Sequence, residues 1–209
     1  MGRSAIAAAL ALGLLATGAS ASGDPAAGKL KAAVCSACHG ADGNSIDAIW
    51  PKLAGQGAPY QMRQVMAIRS EHGRVNPEAA TMVPMVANVS EQDLEDIAAF
   101  YATQVPTVEA ADPVLAEVGR QLYQAGDPER NIPSCMSCHG PGGRGNRLAA
   151  FPQLGGQHAA YSAKQLLAYR DGARTTDAAG MMREIASRLT DADIEAVSEY
   201  LSGLHQAGG

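Results

Sequence analysis

The sequence predicts an all-α protein made of two tandem copies of one small domain, with about three helices in each copy. Three observations predict it: a repeat at nearly constant offset, helix-start signals at matching places in both copies, and no segment with sustained strand alternation. Cys35-Ser36-Ala37-Cys38-His39 and Cys135-Met136-Ser137-Cys138-His139 lie 100 residues apart. Pro51-Lys52-Leu53-Ala54-Gly55-Gln56 recurs as Pro152-Gln153-Leu154-Gly155-Gly156-Gln157. Tyr60, Gln64 and Arg69 recur as Tyr161, Gln165 and Arg170. Asp24-Pro25 and Asp112-Pro113 each read as an N-cap followed by proline at the first helical position. A second helix is expected from Pro59 to Arg69 and again from His158 to Arg170. Ser90 and Thr190 cap the last helix of each copy, with Asp93 and Asp193 three residues on. Leu94, Ile97, Ala98 and Tyr101 then share one helical face, as do Ile194, Val197 and Leu201.

Residues 1–21 read as a secretory signal peptide. Arg3 supplies the positive start, Ala5 to Ala16 the apolar run, and Ala19-Ser20-Ala21 the cleavage site. The run is too short for a stable membrane anchor, and no later segment reaches spanning length. The expected organisation is therefore a leader at 1–21, a first domain at 22–104, a linker at 105–112 and a second domain at 113–209. The mature protein is expected to be soluble and in the periplasm. The chain has 209 residues, net charge −5 and only 4% aromatic residues. Without a basic stripe it does not suit nucleic acid. With so few aromatic rings, each small domain needs something else to fill its centre.

The cysteine motifs supply a candidate. All four cysteines sit in them, and each pair is followed directly by histidine. Cys-x-x-Cys-His is the attachment sequence for c-type haem. Two thiols add to the two vinyl groups on one porphyrin edge, and the adjacent imidazole becomes an iron ligand. Cys35, Cys38, Cys135 and Cys138 are thus the expected attachment points of two covalent haem c groups, with His39 and His139 on the metal. A structural zinc site would want four ligands in each copy, and only two Cys and one clear His are present. A thioredoxin-like pair would need a strand before the motif, and none is visible.

The sixth iron ligand follows from the repeat. Met82 and Met85 lie in the first copy, and Met181 and Met182 in the second. Met82 stands eight residues before Ser90, and Met182 eight before Thr190, so this pair alone is in register. Met82 and Met182 are the expected axial ligands, and Met85 and Met181 the expected packing residues. His158 has no histidine at the matching place in the first copy, which excludes a duplicated bis-His design; it reads as a helix-start residue. His72 and His205 read as solvent-facing. Pro51 and Pro152 follow their histidines by 12 and 13 residues. Their carbonyls either accept the ring N–H of the ligating histidine or belong to prolines that only shape the loop. Arg69 and Arg170 read as exposed helix-end residues, with haem propionate pairing as the alternative. Tyr60 and Tyr161 read as core residues, and Gln56 and Gln157 as part of the loop geometry.

With these residues placed, the chain resembles the dihaem cytochrome c4 family over essentially its whole mature length. The resemblance is carried by the doubled motif, by the two Pro-x-Leu-x-Gly-Gln loops, by Gln157-His158-Ala159-Ala160-Tyr161 with Lys164-Gln165-Leu166, and by the segment beginning at Ser90. It implies two cytochrome c-like domains related by pseudo-twofold symmetry, with haem propionate edges facing each other. It also implies His/Met coordination, which would fall on Met82 and Met182. The loop from Asp177 to Met182 is a residue shorter than the family pattern, which puts the choice between Met181 and Met182 in doubt. The implied function is one-electron transport in a respiratory chain. A quinol–cytochrome c reductase type of donor and a terminal oxidase as acceptor are the implied partners, with loose membrane association an open point. Two alternatives remain: the cytochrome subunit of a flavocytochrome sulfide dehydrogenase, and a dihaem peroxidase. The peroxidase would need one open iron position, against which the matched methionines argue.

Overall fold

A computed structural model describes residues 23–70, 76 and 79–204. The leader at 1–21, His72 and His205 lie outside the described residues. In the first copy the helices are α1 (Pro25–Lys31), α2 (Ala33–His39), α3 (Ala58–Ser70), α4 (Met82–Val86) and α5 (Glu91–Ala102). In the second they are α6 (Pro113–Ala125), α7 (Met136–His139), α8 (Ala159–Arg170), α9 (Met181–Ala186) and α10 (Asp191–Ser202). Among the described residues there is no strand, only two isolated bridges, Asp127 to Ile132 and Asn146 to Phe151.

The expected caps form. Asp24 Oδ1 accepts from Ala26 N, and Asp112 Oδ1 from Val114 N and Leu115 N. Ser90 accepts from Asp93 N, and Thr190 and Asp193 make a full capping box. The three helices expected in each copy are accompanied by further short ones. α2 and α7 carry the Cys motifs, and α4 and α9 carry the methionines. Helices of four to seven residues show no periodic pattern over a useful window, so their signal in the sequence is absent.

Each copy is built on a crossing of its first and last helices, α1 on α5 and α6 on α10. A glycine sits at both crossings. A Cβ added at Gly28 would lie 1.9 Å from the Asp96 carbonyl oxygen, and one at Gly119 would lie 2.0 Å from that of Ala196. Only a residue without a side chain lets the backbones approach this closely. The second core gathers Leu122, Tyr123, Ile132, Leu189, Ile194, Val197 and Leu201 into one cluster. The first is split, with Ala32, Ile97, Phe100 and Tyr101 apart from Ile68, Val86 and Leu94.

The two copies meet through a reciprocal clasp. Gln56 Nε2 donates to the Gln153 carbonyl at 3.0 Å, and Gln153 N donates back to Gln56 Oε1 at 2.9 Å. Gln157 Nε2 donates to the Lys52 carbonyl at 3.0 Å, and Lys52 N donates back to Gln157 Oε1 at 2.9 Å. The partners exchange under the repeat, as a pseudo-twofold relation between the copies requires. Each carboxamide satisfies one backbone donor and one acceptor that would otherwise be buried without partners. One contact breaks the symmetry. His158, buried at the start of α8, meets Ser45 Oγ through Nε2 at 2.9 Å and the Glu109 carboxylate through Nδ1. Ser45 Oγ also donates to the Trp50 carbonyl at 2.7 Å.

Candidate cofactor sites

In each copy the Cys-x-x-Cys-His motif ends on a helical turn, which puts the first Cys and the His, four residues apart, on the inward face. No disulfide joins the four cysteines. Cys35 and Cys135 are half-buried, Cys38 and Cys138 exposed. Burial pushes the Cys35 thiol up and the Cys135 thiol up to about 11. His39 and His139 are buried, with 4% and 6% of their surface exposed. His39 Nδ1 donates to the Pro51 carbonyl at 2.8 Å, and His139 Nδ1 to the Pro152 carbonyl at 2.9 Å. Of the two readings of these prolines, the structure has the carbonyl holding the ring. Burial pushes both imidazoles below the usual histidine range, against the opposing pull of the carbonyl. Each ring is therefore a neutral imidazole with its proton on Nδ1 and its lone pair on Nε2. His39 Nε2 is buried with no hydrogen-bond partner. A buried, unpartnered imidazole lone pair beside two thiols is the donor set that a covalently attached haem iron completes.

A tyrosine closes the far side of each motif. Tyr101 OH points to the Gly40 carbonyl at 3.5 Å, and Tyr123 OH donates to the Gly140 carbonyl at 2.5 Å. Gly40 and Gly140 follow the histidines and stand at φ 83° and 77°, a region where a side chain would be strained.

The methionines separate by exposure. Met82 is half-buried against Ile68, Val86 and Leu94, whereas Met85 is 49% exposed. Met182 is half-buried, whereas Met181 is 40% exposed. Among the described residues neither Met82 nor Met182 accepts a hydrogen bond. Met66, by contrast, has its sulfur 3.9 Å from Arg69 Nη1.

Arg69 and Arg170 are not free helix ends. Arg69 donates to the Val86 carbonyl at 2.7 Å and the Val89 carbonyl at 2.5 Å. Arg170 donates to the Leu189 carbonyl at 3.3 Å and to Asp191 at 2.7 Å. Each ties the end of its helix to the turn between the methionine helix and the last helix. Gln56 and Gln157, read as loop residues, are the clasp between copies. Arg174 was not singled out in the sequence. It is 4% exposed and joins Tyr60, Gln64 and Gln165 across the boundary. Its one visible signal was Arg74, at the repeat offset of 100.

No helix among the described residues is long and apolar enough to cross a membrane. The family model "Cytochrome c" matches twice, over residues 26–104 and 116–205. Cytochrome c4 of Azotobacter vinelandii is 50% identical over 90% of this chain and 92% of its own. A protein of Stutzerimonas stutzeri named "Thiosulfate dehydrogenase electron acceptor" is 39% identical over 84% of this chain and 81% of its own. The crystal structure of reduced recombinant cytochrome c4 from Pseudomonas stutzeri superposes with a TM-score of 0.82 at 47% identity, covering 88% of this chain and all of that one. The doubled family match, the paired motifs and the shared fold together place this chain in the dihaem cytochrome c4 family of electron-transfer proteins, with two covalently bound haem c groups.

Proposed function

We propose that the chain is a periplasmic one-electron carrier of a respiratory chain that donates to a terminal oxidase and is reduced by a quinol–cytochrome c reductase type of enzyme. The supporting observation is that each copy presents a neutral, buried histidine held by a proline carbonyl next to its thiol pair. When bound, each haem supplies a one-electron ferric/ferrous couple. In this reading Cys35 and Cys38 tether one haem, and Cys135 and Cys138 the other. His39 and His139 offer Nε2 to the metal, with the Pro51 and Pro152 carbonyls holding the ring and its tautomer. Met82 and Met182 would supply a thioether to each metal, a ligand type that would raise the reduction potential. The arrangement suits a carrier rather than a peroxidase. Residues 1–21 act as the export leader, and the domains run 22–104 and 113–209 with 105–112 between them.

A second reading concerns the donor. The relative named as a thiosulfate dehydrogenase electron acceptor favours a carrier that takes electrons from a sulfur-compound dehydrogenase, rather than the sulfide dehydrogenase subunit named above as an alternative. Kinetics separate the two. Fast oxidation of the reduced protein by terminal oxidase supports the first; fast reduction by thiosulfate dehydrogenase and slow exchange with oxidase supports the second. The ligands are tested separately. Met82→Ala and Met182→Ala should each abolish the far-red ferric band of one thioether-ligated haem and lower its potential. Bands and potentials unchanged in either variant would remove that methionine from the assignment.

A further inference from the structure

The two carbonyls that hold the motif histidines are not isolated acceptors. The Pro51 carbonyl takes the His39 Nδ1 proton at 2.8 Å and shares one peptide group with the Lys52 N–H. That N–H donates to Gln157 Oε1 at 2.9 Å, an oxygen of the second copy. The Pro152 carbonyl takes the His139 Nδ1 proton at 2.9 Å and shares its peptide group with the Gln153 N–H. That N–H donates to Gln56 Oε1 at 2.9 Å, an oxygen of the first copy. Each glutamine oxygen is fixed by a second donor, the N–H of the residue after it. Gly57 N donates to Gln56 Oε1 at 3.0 Å, and His158 N to Gln157 Oε1 at 3.1 Å. Each Nε2 donates in turn to the carbonyl of the residue whose N–H the oxygen accepts, at 3.0 Å in both cases. Gln56 and Lys52 are buried, which strengthens these bonds against competition from water.

A peptide group is one conjugated unit. An acceptor on its N–H pushes electron density onto its carbonyl oxygen, and hydrogen bonds linked in this way strengthen one another. A stronger acceptor at Nδ1 makes the imidazole a stronger donor at Nε2. Donation of that kind to iron favours the ferric state. We infer that Gln157 tunes His39 and Gln56 tunes His139, so that the glutamine clasp adjusts the potential of each haem from the opposite copy. The inference rests on His39 and His139 being iron ligands, as proposed above. Both glutamines are positioning residues, each acting through one peptide group and one histidine. The crossing of the pairs is the distinctive feature. A glutamine that only closed the boundary between the copies would affect both histidines alike.

Redox titration of the intact dihaem protein followed by NMR tests this, because the Nδ1–H resonance of each ligating histidine reports on its own haem. Gln157→Met removes the acceptor from the Lys52 N–H. It should move the His39 Nδ1–H upfield in the ferrous protein. It should also shift that haem roughly threefold toward ferrous, a rise of about 28 mV at about 59 mV per tenfold. His139 and its haem should keep their wild-type values. Gln56→Met should do the reverse, moving His139 and its haem and leaving His39 unchanged. Equal shifts at both histidines, a shift confined to the glutamine's own copy, or no shift at all would overturn the inference. Should the methionine variants fail to mature, Gln157→Glu and Gln56→Glu decide, since a carboxyl group keeps an acceptor on the peptide N–H. The Nδ1–H of the opposite copy should then hold its wild-type position or move downfield, and an upfield move would overturn the inference. Histidine resonances that ignore haem oxidation in the wild-type protein would defeat the assignment of His39 and His139 as ligands instead.

Discussion

The two copies solve one local problem with different helices. In the first, the tyrosine that reaches the glycine carbonyl behind the motif histidine is Tyr101, on the last helix. In the second it is Tyr123, on the first helix. The glycines at the helix crossings set the register. Gly28 lies against Asp96 and Gly119 against Ala196, so Tyr123 matches Ala32, and Leu201 matches Tyr101. The first copy pairs a small residue with a large one, and the second reverses the order. All four are buried in equivalent clusters. The requirement is a filled space and a hydroxyl at one point; the helix that provides them is free to change.

The same register exposes an insertion. Gly28 to Cys35 is 7 residues, whereas Gly119 to Cys135 is 16. The nine added residues form the turn bridged by Asp127 and Ile132. They also move an ion pair. In the first copy Lys31 on α1 holds Asp93 and Asp96 on α5. In the second, Arg130 of the inserted turn holds Asp193 of α10 at 2.6 Å.

The largest effects should come from the crossings that the copies share. Gly28→Ala and Gly119→Ala each force a methyl group into a backbone carbonyl and should cost about 3 kcal/mol. Denaturant titration of the dihaem protein should show comparable losses. A loss in one copy alone would mean that the crossings are not equivalent. Next comes the exchanged pair. Ala32→Tyr overfills the first core and Tyr101→Leu underfills it, so each alone should destabilise. The double variant copies the second half and should recover about 2 kcal/mol relative to the sum of the singles. Strict additivity in the double-mutant cycle would break the claim that one space is being filled in two ways.

The smallest effects concern acid. Lys31, helped by Asp24 N–H and Gln92, holds the Asp96 carboxyl down at about 2. Arg130 holds Asp193 at about 2 as well, against partial burial. Both lie below an unfolded value of about 3.9. A depressed carboxylate pKa contributes stability that is complete above the unfolded value and is lost as pH falls toward the folded one. Each contribution should therefore disappear between about pH 4 and pH 2. Asp96→Asn and Asp193→Asn should each destabilise at pH 7 and match wild type near pH 2. A gap that persists at low pH would assign the effect to hydrogen bonding rather than charge.

Features that depend on a few neighbouring residues were legible in the chain. The caps at Asp24, Ser90, Asp112 and Thr190 satisfy the first N–H groups of their own helices, so the signal and its partner lie within three residues. The attachment motif depends on one helical turn. Arg69 and Arg170 were visible as a pair, but their acceptors lie about twenty residues away, across a turn with no sequence signature. Gln56 and Gln157 look like loop residues until each is seen satisfying the other copy's backbone.

Composition, motif and repeat therefore determined the class of fold, its duplication and the chemistry of its cofactor, because short-range bonding and spacing encode all three. Only the tertiary structure decided which helix brings each tyrosine, how two glutamines lock the copies together, and where a buried arginine is left facing neutral partners. Those outcomes depend on distances between residues far apart in the chain. Packing and desolvation act on such distances, and a local pattern does not record them.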